Sequence, residues 1–243
     1  NSSGGVIIEV EGTKEVIEHF YSRIPRLAPP LAIVEAIRID FHPPRDLDGF
    51  RVRKSRNENG DFVLVSPDIS ICGECLKELF VPDDRRYKYP FINCTDCGPR
   101  FSLIKGTPYD RAKTTMESFR MCPLCAKEYG DLSQRRYHAE PNACPGCGPE
   151  VQLQMNKSRS SPPFPSKREG LGERLKGKGA IEKSIELLKE GRIIAVKGIG
   201  GYHLACDARN SQAVRELRSR KYREDKPFAL MAPTVEAIRK LCE

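Results

Sequence analysis

Two stretches of this chain carry the same cysteine frame, and that repetition limits what it can fold into more than any other feature. The first is CGECLKELFVPDDRRYKYPFINCTDCGP, from Cys72 to Pro99, and the second is CPLCAKEYGDLSQRRYHAEPNACPGCGP, from Cys122 to Pro149. The copies are equal in length and share both Cys pairs, a Lys-Glu, an Arg-Arg-Tyr and a closing Gly-Pro. The whole pattern is C-x2-C-x18-C-x2-C-x24-C-x2-C-x18-C-x2-C, and each unit falls within the spacing expected for zinc. A CxxC turn sets two sulfurs at adjacent corners of a tetrahedron, and a second turn closes the other two about 2.3 Å from the metal. Four thiolates leave no open coordination position, so both sites read as structural. Each ion could contribute roughly 10–16 kcal/mol, enough to fold a segment with little apolar core. Gly98 and Gly148, just behind the second pairs, are expected to tighten the backbone and turn N–H groups toward the thiolates.

Four such pairs in two equal frames favour Zn2+ over secreted disulfides or a redox CxxC. The simplest pairing is sequential, with Cys72, Cys75, Cys94 and Cys97 on one ion and Cys122, Cys125, Cys144 and Cys147 on the other. A nested pairing, outer pairs together, is also topologically possible, and spacing alone does not exclude it. His138 stands near a set that four cysteines already complete, so it is expected in the surroundings or at the surface. Cys206 and Cys242 stand alone and read as buried hydrophobes.

The rest of the 243 residues suits more than one domain. With 39% hydrophobic and 30% charged residues, the chain reads as globular, and it has no run long and apolar enough for a membrane helix. No basic and apolar leader opens it. It begins at Asn1 and stops inside an expected helix from Thr234 to Cys242, so it reads as a section of a longer protein. The formal net charge is +8, from 41 basic and 33 acidic residues. Two zinc ions on eight thiolates would lower this to about +4. Much of the remainder lies in a Ser-, Pro- and Lys-rich stretch, so a nucleic-acid partner is not favoured.

Residues 1–63 read as a small α/β unit. A strand is expected at Val6–Val10, followed by a helix starting near Thr13 with Val16, Ile17, Phe20, Tyr21 and Ile24 on one buried face. Pro25 and the Pro29-Pro30 pair should end it, with extended runs over Leu31–Ile39 and Phe50–Arg53. Residues 67–153 form the cysteine module, with units at 72–97 and 122–147, and 154–178 reads as a flexible linker. From 179 to 243, Ala180 to Leu188 makes a helical stripe that stops at Gly191. Arg192–Lys197 is a strand, and Gly198–Gly201 a turn. Ser211 caps a helix, Pro227–Met231 is a strand, and Thr234 caps the last helix. The fold class is α+β and multidomain, with strands and helices alternating in the outer parts.

The run TTMESFRMCPLCAKEYGD followed by RRYHAEPNACPGCGP resembles one family closely, the HypF carbamoyltransferases of nickel–iron hydrogenase maturation. Their double four-cysteine zinc module sits between an acylphosphatase-like domain and a YrdC-like nucleotide domain. The resemblance covers the chain apart from the 154–178 linker. It implies that residues 1–63 are the later part of an acylphosphatase-like (ferredoxin-like) α/β sandwich. Asn1, in N-S-S-G-G, then matches the Asn that positions the attacking water on an acyl phosphate. The phosphate loop with its Arg would precede Asn1, so this section by itself is expected to be inactive.

The stretch LLKEGRIIAVKGIGGYHLACDA, followed by SRKYREDKPFALM, resembles the opening of a YrdC-like domain, a fold that binds ATP and makes an acyl-adenylate. A polyanionic nucleotide calls for several cations and close backbone approach. Lys197, Arg218, Arg220, Lys221, Arg223 and Lys226 supply charge, and Gly198, Gly200 and Gly201 remove side-chain obstruction. Lys197-Gly198 stands where plain YrdC proteins carry Pro-Thr, which suits the carbamoyl branch. His203 either contacts the carbamoyl group or is a satisfied structural histidine.

The resemblance therefore implies a cytoplasmic enzyme that takes carbamoyl phosphate and ATP, with Mg2+, to carbamoyl-adenylate. It then transfers the carbamoyl group to the C-terminal Cys of a HypE-type maturation protein, a precursor of the cyanide ligands. Carbamate decomposes readily in water, which gives a reason to join the sites through a rigid zinc spacer. Two other readings stay open: a threonylcarbamoyl-adenylate synthase acting on tRNA, and a zinc-dependent binding module akin to the Hsp40 chaperone zinc domain, whose spacers are shorter and Gly-rich.

Overall fold

The first element among the described residues, α1 (Lys14–Leu27), forms where the apolar 3.6-residue period begins, and Thr13 stands at its N-cap. These elements come from a computed structural model that describes residues 6–28, 32–51, 65–156 and 171–242. Asn1, Leu31, Val52 and Arg53 lie outside the described residues. The helix runs through Pro25 and stops before the Pro pair, so Pro25 occupies its last turn rather than ending it. Its stripe is only partly covered: Ile17, Tyr21 and Ile24 are half-buried, while Val16 and Phe20 are exposed.

The strand expected at Val6–Val10 does not form, and the described part of the extended run ending at Ile39 joins no ladder. A strand exists by exchanging N–H···O=C bonds with a neighbour, and among the described residues these segments have no such neighbour. The loop is tied instead by Glu11, whose carboxylate accepts from the N–H groups of Arg45, Asp46 and Leu47 at 2.5, 3.1 and 2.6 Å. Those donors, Leu47 foremost, hold its carboxyl below the ordinary Glu value.

The chain divides into two units, 1–149 and 150–243. In the first, α2 (Gly73–Phe80) and α3 (Pro123–Gly130) each start directly after the leading Cys of a copy. The leading Cys stands at the N-cap, and the second Cys of the pair falls in the first turn with its side chain buried. The chain then turns through matching backbone bonds. Tyr87 N–H donates to Asp84 and Lys88 N–H to Leu79 in one copy; Tyr137 N–H donates to Gln134 and His138 N–H to Tyr129 in the other. Lys88 and His138 occupy the same point of each copy, with φ of 56° and 49°. Cys75, Tyr89, Ile92, Cys94, Cys97, Met116 and Ala143 form the core, so ligand sulfurs are a large part of what is buried.

The second unit opens with β1 (Gln152–Asn156) and β2 (Leu171–Lys176), antiparallel with Leu153 opposite Leu175. Both ends of the stretch read as a flexible linker are therefore paired strand. Its Ser/Pro/Lys composition hid the alternation of Leu175 with charged neighbours. The helix α4 (Gly177–Lys189) lies against both strands and is stopped at Gly191, where φ is +78° and an added Cβ would stand 2.6 Å from Asn210 Nδ2. A hairpin of β3 (Ile194–Lys197) and β4 (Tyr202–Ala205) follows, with Val196 opposite His203 and Lys197 opposite Tyr202. The helix α5 (Ser211–Arg220) is capped by Asn210, not by Ser211: the Asn210 side-chain Oδ1 accepts from the Gln212 and Ala213 N–H groups. A short α6 (Val235–Arg239) is capped by Thr234 as expected. Residues 227–231 form no ladder, and Met231 is fully exposed. Cys206 is half-buried, whereas Cys242 is exposed, because α6 buries no residue and gives the last turn nothing to pack into. No helix among the described residues is long and apolar enough to cross a membrane.

Candidate metal centres and nucleotide-binding segment

The eight CxxC sulfurs converge in two groups, Cys72, Cys75, Cys94 and Cys97 and Cys122, Cys125, Cys144 and Cys147. Pairing is thus sequential, and each copy closes its own centre. Neighbouring sulfurs stand 3.7 Å apart for Cys72–Cys94, 3.8 Å for Cys94–Cys97, 3.8 Å for Cys122–Cys144 and 3.6 Å for Cys125–Cys147. A regular tetrahedron with metal–sulfur bonds of about 2.3 Å has edges of about 3.8 Å. The sulfurs are therefore already at the corners a zinc ion requires. The donor set is also chemically divided. Burial pushes the Cys125 thiol up to about 12, while the Cys125 N–H facing Cys122 lowers that thiol to about 6. A dication is what allows four such sulfurs to ionise together. His138 belongs to neither group; it is exposed and packs beside Tyr129 and Tyr137.

The two glycines behave differently from expectation. Gly98 N–H donates to the Ile69 carbonyl, and Gly148 N–H to the Cys144 carbonyl, so neither faces a sulfur. Sulfurs receive instead the N–H of Cys75 onto Cys72 at 3.5 Å and of Asp96 onto Cys94 at 3.4 Å. The glycines are needed for space. A Cβ on Gly148 would lie 2.2 Å from Tyr89 Oη, and one on Gly98, at φ +98°, 2.6 Å from Asn93 Cβ.

The shared Arg-Arg has a role that the spacing did not reveal. Arg85 and Arg86, in the first copy, reach the second copy's centre. Arg85 donates to Cys125 Sγ at 3.4 Å and to Glu128 at 2.5 Å. Arg86 donates to Cys125 Sγ, to Glu128 at 2.6 Å, to Asn142 at 2.9 Å and, through Nε, to the Ala143 carbonyl at 2.9 Å. The reverse set is also made. Arg135 donates to Cys75 Sγ at 3.6 Å and to Glu78 at 2.5 Å. Arg136 donates to Cys75 Sγ at 3.8 Å, to Glu78, and through Nε to the Asn93 carbonyl at 3.0 Å. Arg86 and Arg136 are 2% and 6% exposed, so these are buried, charge-assisted bonds. Burial alone would raise the Glu128 carboxyl, but Arg86 and Arg85 hold it below its ordinary value. The shared Glu of Lys-Glu is thus the acceptor and the shared Arg-Arg the donor of one reciprocal brace.

The residues expected to meet a nucleotide fall into two clusters of the second unit. Lys197 ends β3, with its ammonium 5.2 Å from the Tyr202 ring centre, and His203 sits on β4 beside it. Gly198 N–H donates to Gly201 at 2.7 Å, closing the turn around Gly200. A Cβ on Gly198 would stand 3.1 Å from the His203 ring, so the glycine leaves that face open to the imidazole. The second cluster follows α5. There Arg218 donates to the carbonyls of Arg223, Glu224 and Lys226, and its guanidinium lies 4.8 Å from the Phe228 ring centre. Arg223 lies over the same ring at 5.4 Å, and Arg220 pairs with Glu216. Lys221 and Lys226 are exposed.

Two four-cysteine centres locked by reciprocal arginines, followed by an α/β segment with a basic glycine hairpin, define a zinc-module protein joined to an α/β domain. Comparison with known families agrees on both counts. The family model described as HypF finger matches residues 71–104 and 121–154, and the one described as Telomere recombination, of the Sua5, YciO and YrdC proteins, matches 186–243. Carbamoyltransferase HypF of Rhodobacter capsulatus is 45% identical over 240 residues, 98% of this chain and 30% of that protein. The probable carbamoyltransferase HypF of Methanocaldococcus jannaschii is 40% identical over 96% of this chain and 29% of its own length. A crystal structure of full-length HypF in the phosphate- and nucleotide-bound form superposes with a TM-score of 0.76 at 43% identity, over 94% of this chain and 28% of that one. The structure of T. kodakarensis HypF gives 0.75, also at 43% identity, over 95% of this chain and 27% of that one. The chain belongs to the HypF carbamoyltransferase family, and it spans less than a third of the length of those relatives.

Proposed function

We propose that this chain is the section of a carbamoyltransferase in which a double zinc scaffold adjoins the site that activates a carbamoyl group with ATP. The observation carrying this reading is the agreement of both four-cysteine centres and the adjoining α/β segment, in one order, with HypF relatives along nearly the whole chain. Four-thiolate centres have no open position, so the zinc ions hold structure and take no part in the chemistry. In the reaction, a carbamate oxygen attacks the α-phosphorus of ATP. The bond to pyrophosphate breaks, and carbamoyl-adenylate forms. The thiolate of the C-terminal Cys of a HypE-type partner then attacks the carbamoyl carbon, and AMP leaves. The carbamate comes from carbamoyl phosphate by a hydrolysis in which Asn1 positions water, a role assigned by resemblance. Mg2+ would accompany the ATP phosphates. The cytoplasm, where thiols stay reduced, is the compartment that suits eight free ligand cysteines.

Lys197, Lys221 and Lys226 are the cations we assign to the phosphates, with Gly198, Gly200 and Gly201 admitting the ligand beside His203. Arg218, Arg220 and Arg223 would serve the same nucleotide chiefly by setting the α5 turn, since their guanidinium groups are engaged with carbonyls, Glu216 and Phe228. A second reading, threonylcarbamoyl-adenylate synthesis, draws on the match of 186–243 to the YrdC-type family. ATP–pyrophosphate exchange by the full-length protein separates the two. Exchange that requires carbamoyl phosphate supports the carbamoyl route, exchange only with threonine and bicarbonate moves the protein to tRNA modification, and no exchange by a zinc-loaded protein removes both. Lys197→Ala should lower the exchange rate about 10²-fold with zinc content unchanged.

A further inference from the structure

We infer that the two four-cysteine centres load with metal cooperatively, because the loop closed by each centre carries the arginine pair that completes the other. This goes beyond the carbamoyl reading and rests only on zinc at the two cysteine sites. Arg85 and Arg86 lie between Cys75 and Cys94, inside the loop that a metal at the first centre closes. They donate to Cys125 and Glu128 of the second centre. Arg135 and Arg136 lie between Cys125 and Cys144, inside the loop of the second centre, and donate to Cys75 and Glu78 of the first. A metal bound at one centre fixes its loop and so aims two guanidinium groups at the sulfurs of the other.

The ordering cost of those four long side chains is then met once for both ions. A zinc–tetrathiolate carries a net charge of −2, and buried charge is tolerated when paired; each centre receives its counter-charge from the opposite copy. By linkage the effect must be mutual, each ion strengthening the other by the same factor. The two Nε–H bonds, Arg86 to Ala143 and Arg136 to Asn93, join the loop of one copy to the backbone just before the second Cys pair of the other. The coupling therefore reaches the backbone of the ligand turns as well as the sulfurs. Arg85, Arg86, Arg135 and Arg136 are positioning residues in this scheme, and none of them ligates.

The test is a zinc titration of the metal-free full-length protein followed by native mass spectrometry. Two independent sites, equal or unequal, leave at least half of the molecules with one zinc at half-saturation. Coupling of about tenfold, within the usual range of roughly 5–150-fold, lowers that share to about a quarter. The double variant Arg86→Ala/Arg136→Ala should return it to half or more. Cysteine alkylation with peptide mapping under chelator challenge reads the direction. Arg86→Ala should expose Cys122, Cys125, Cys144 and Cys147 before the set of its own copy, and Arg136→Ala the reverse. A one-zinc share of half or above in the unaltered protein would overturn the proposal, as would Arg86→Ala exposing Cys72, Cys75, Cys94 and Cys97 first. The unaltered protein decides alone if the variants fail to fold. Failure to bind any zinc would remove the metal reading itself, a result distinct from two ions that bind independently.

Discussion

At the scale of single residues, the glycines that follow the cysteine frame are set by space. Gly148→Ala would drive a methyl into Tyr89 Oη and Ala143 Cβ, at 2.2 and 2.5 Å. A destabilisation of about 1–3 kcal/mol is expected, read as a lower denaturation midpoint with zinc present. Glu128 offers a pH test. Its folded pKa is depressed, so its contribution is complete above the unfolded value of about 4.3 and is lost as pH falls through the lower folded value. Glu128→Gln should therefore cost stability at neutral pH and narrow its gap to the unaltered protein below about pH 4. The ligand cysteines were fully legible in the sequence because four CxxC pairs in equal frames have few other uses. The arginines were legible only as a repeated Arg-Arg-Tyr. Spacing within a copy cannot tell whether a side chain serves its own centre or its neighbour's. The signal lay in the pairing of two shared features, the Glu after Lys and the Arg-Arg, which are charge complements.

At the scale of elements, local chemistry was legible and partnership was not. The helix stripes, the Gly191 stop and the Thr234 cap follow from periodicity and caps within a few residues. Strands need a second segment at a distance. Val6–Val10 and Pro227–Met231 have strand-like residues and no ladder, while β2 pairs inside a stretch whose composition reads as linker. The cap of α5 was misassigned by one position, since Asn210 and Ser211 are adjacent cap formers and only the geometry picks the first. Asn210→Ala removes two bonds to N–H groups, at 3.1 and 3.0 Å, and should cost about 0.5–2 kcal/mol. Hydrogen exchange should then quicken at the first turn of α5, while the amides of α2 and α3 hold. Ser211→Ala should leave both unchanged.

At the scale of the whole molecule, the cysteine module was legible because its frame marks its own limits and leaves the flanks to be read separately. The two units differ in what holds them together. The first buries ligand sulfurs and arginines, and the second a small apolar set of Ala180, Ala213 and Leu217. Chelation should consequently speed amide exchange in α2 and α3 by about tenfold or more and leave α4 unchanged. The reciprocal arginines also follow a symmetry. A surface that gives to its copy what it takes from it is the rule of a two-fold homodimer. Here Arg86 with Glu128 and Arg136 with Glu78 are that rule within one polypeptide. Because both halves of the contact belong to one chain, their meeting does not depend on protein concentration, as it would between two separate molecules.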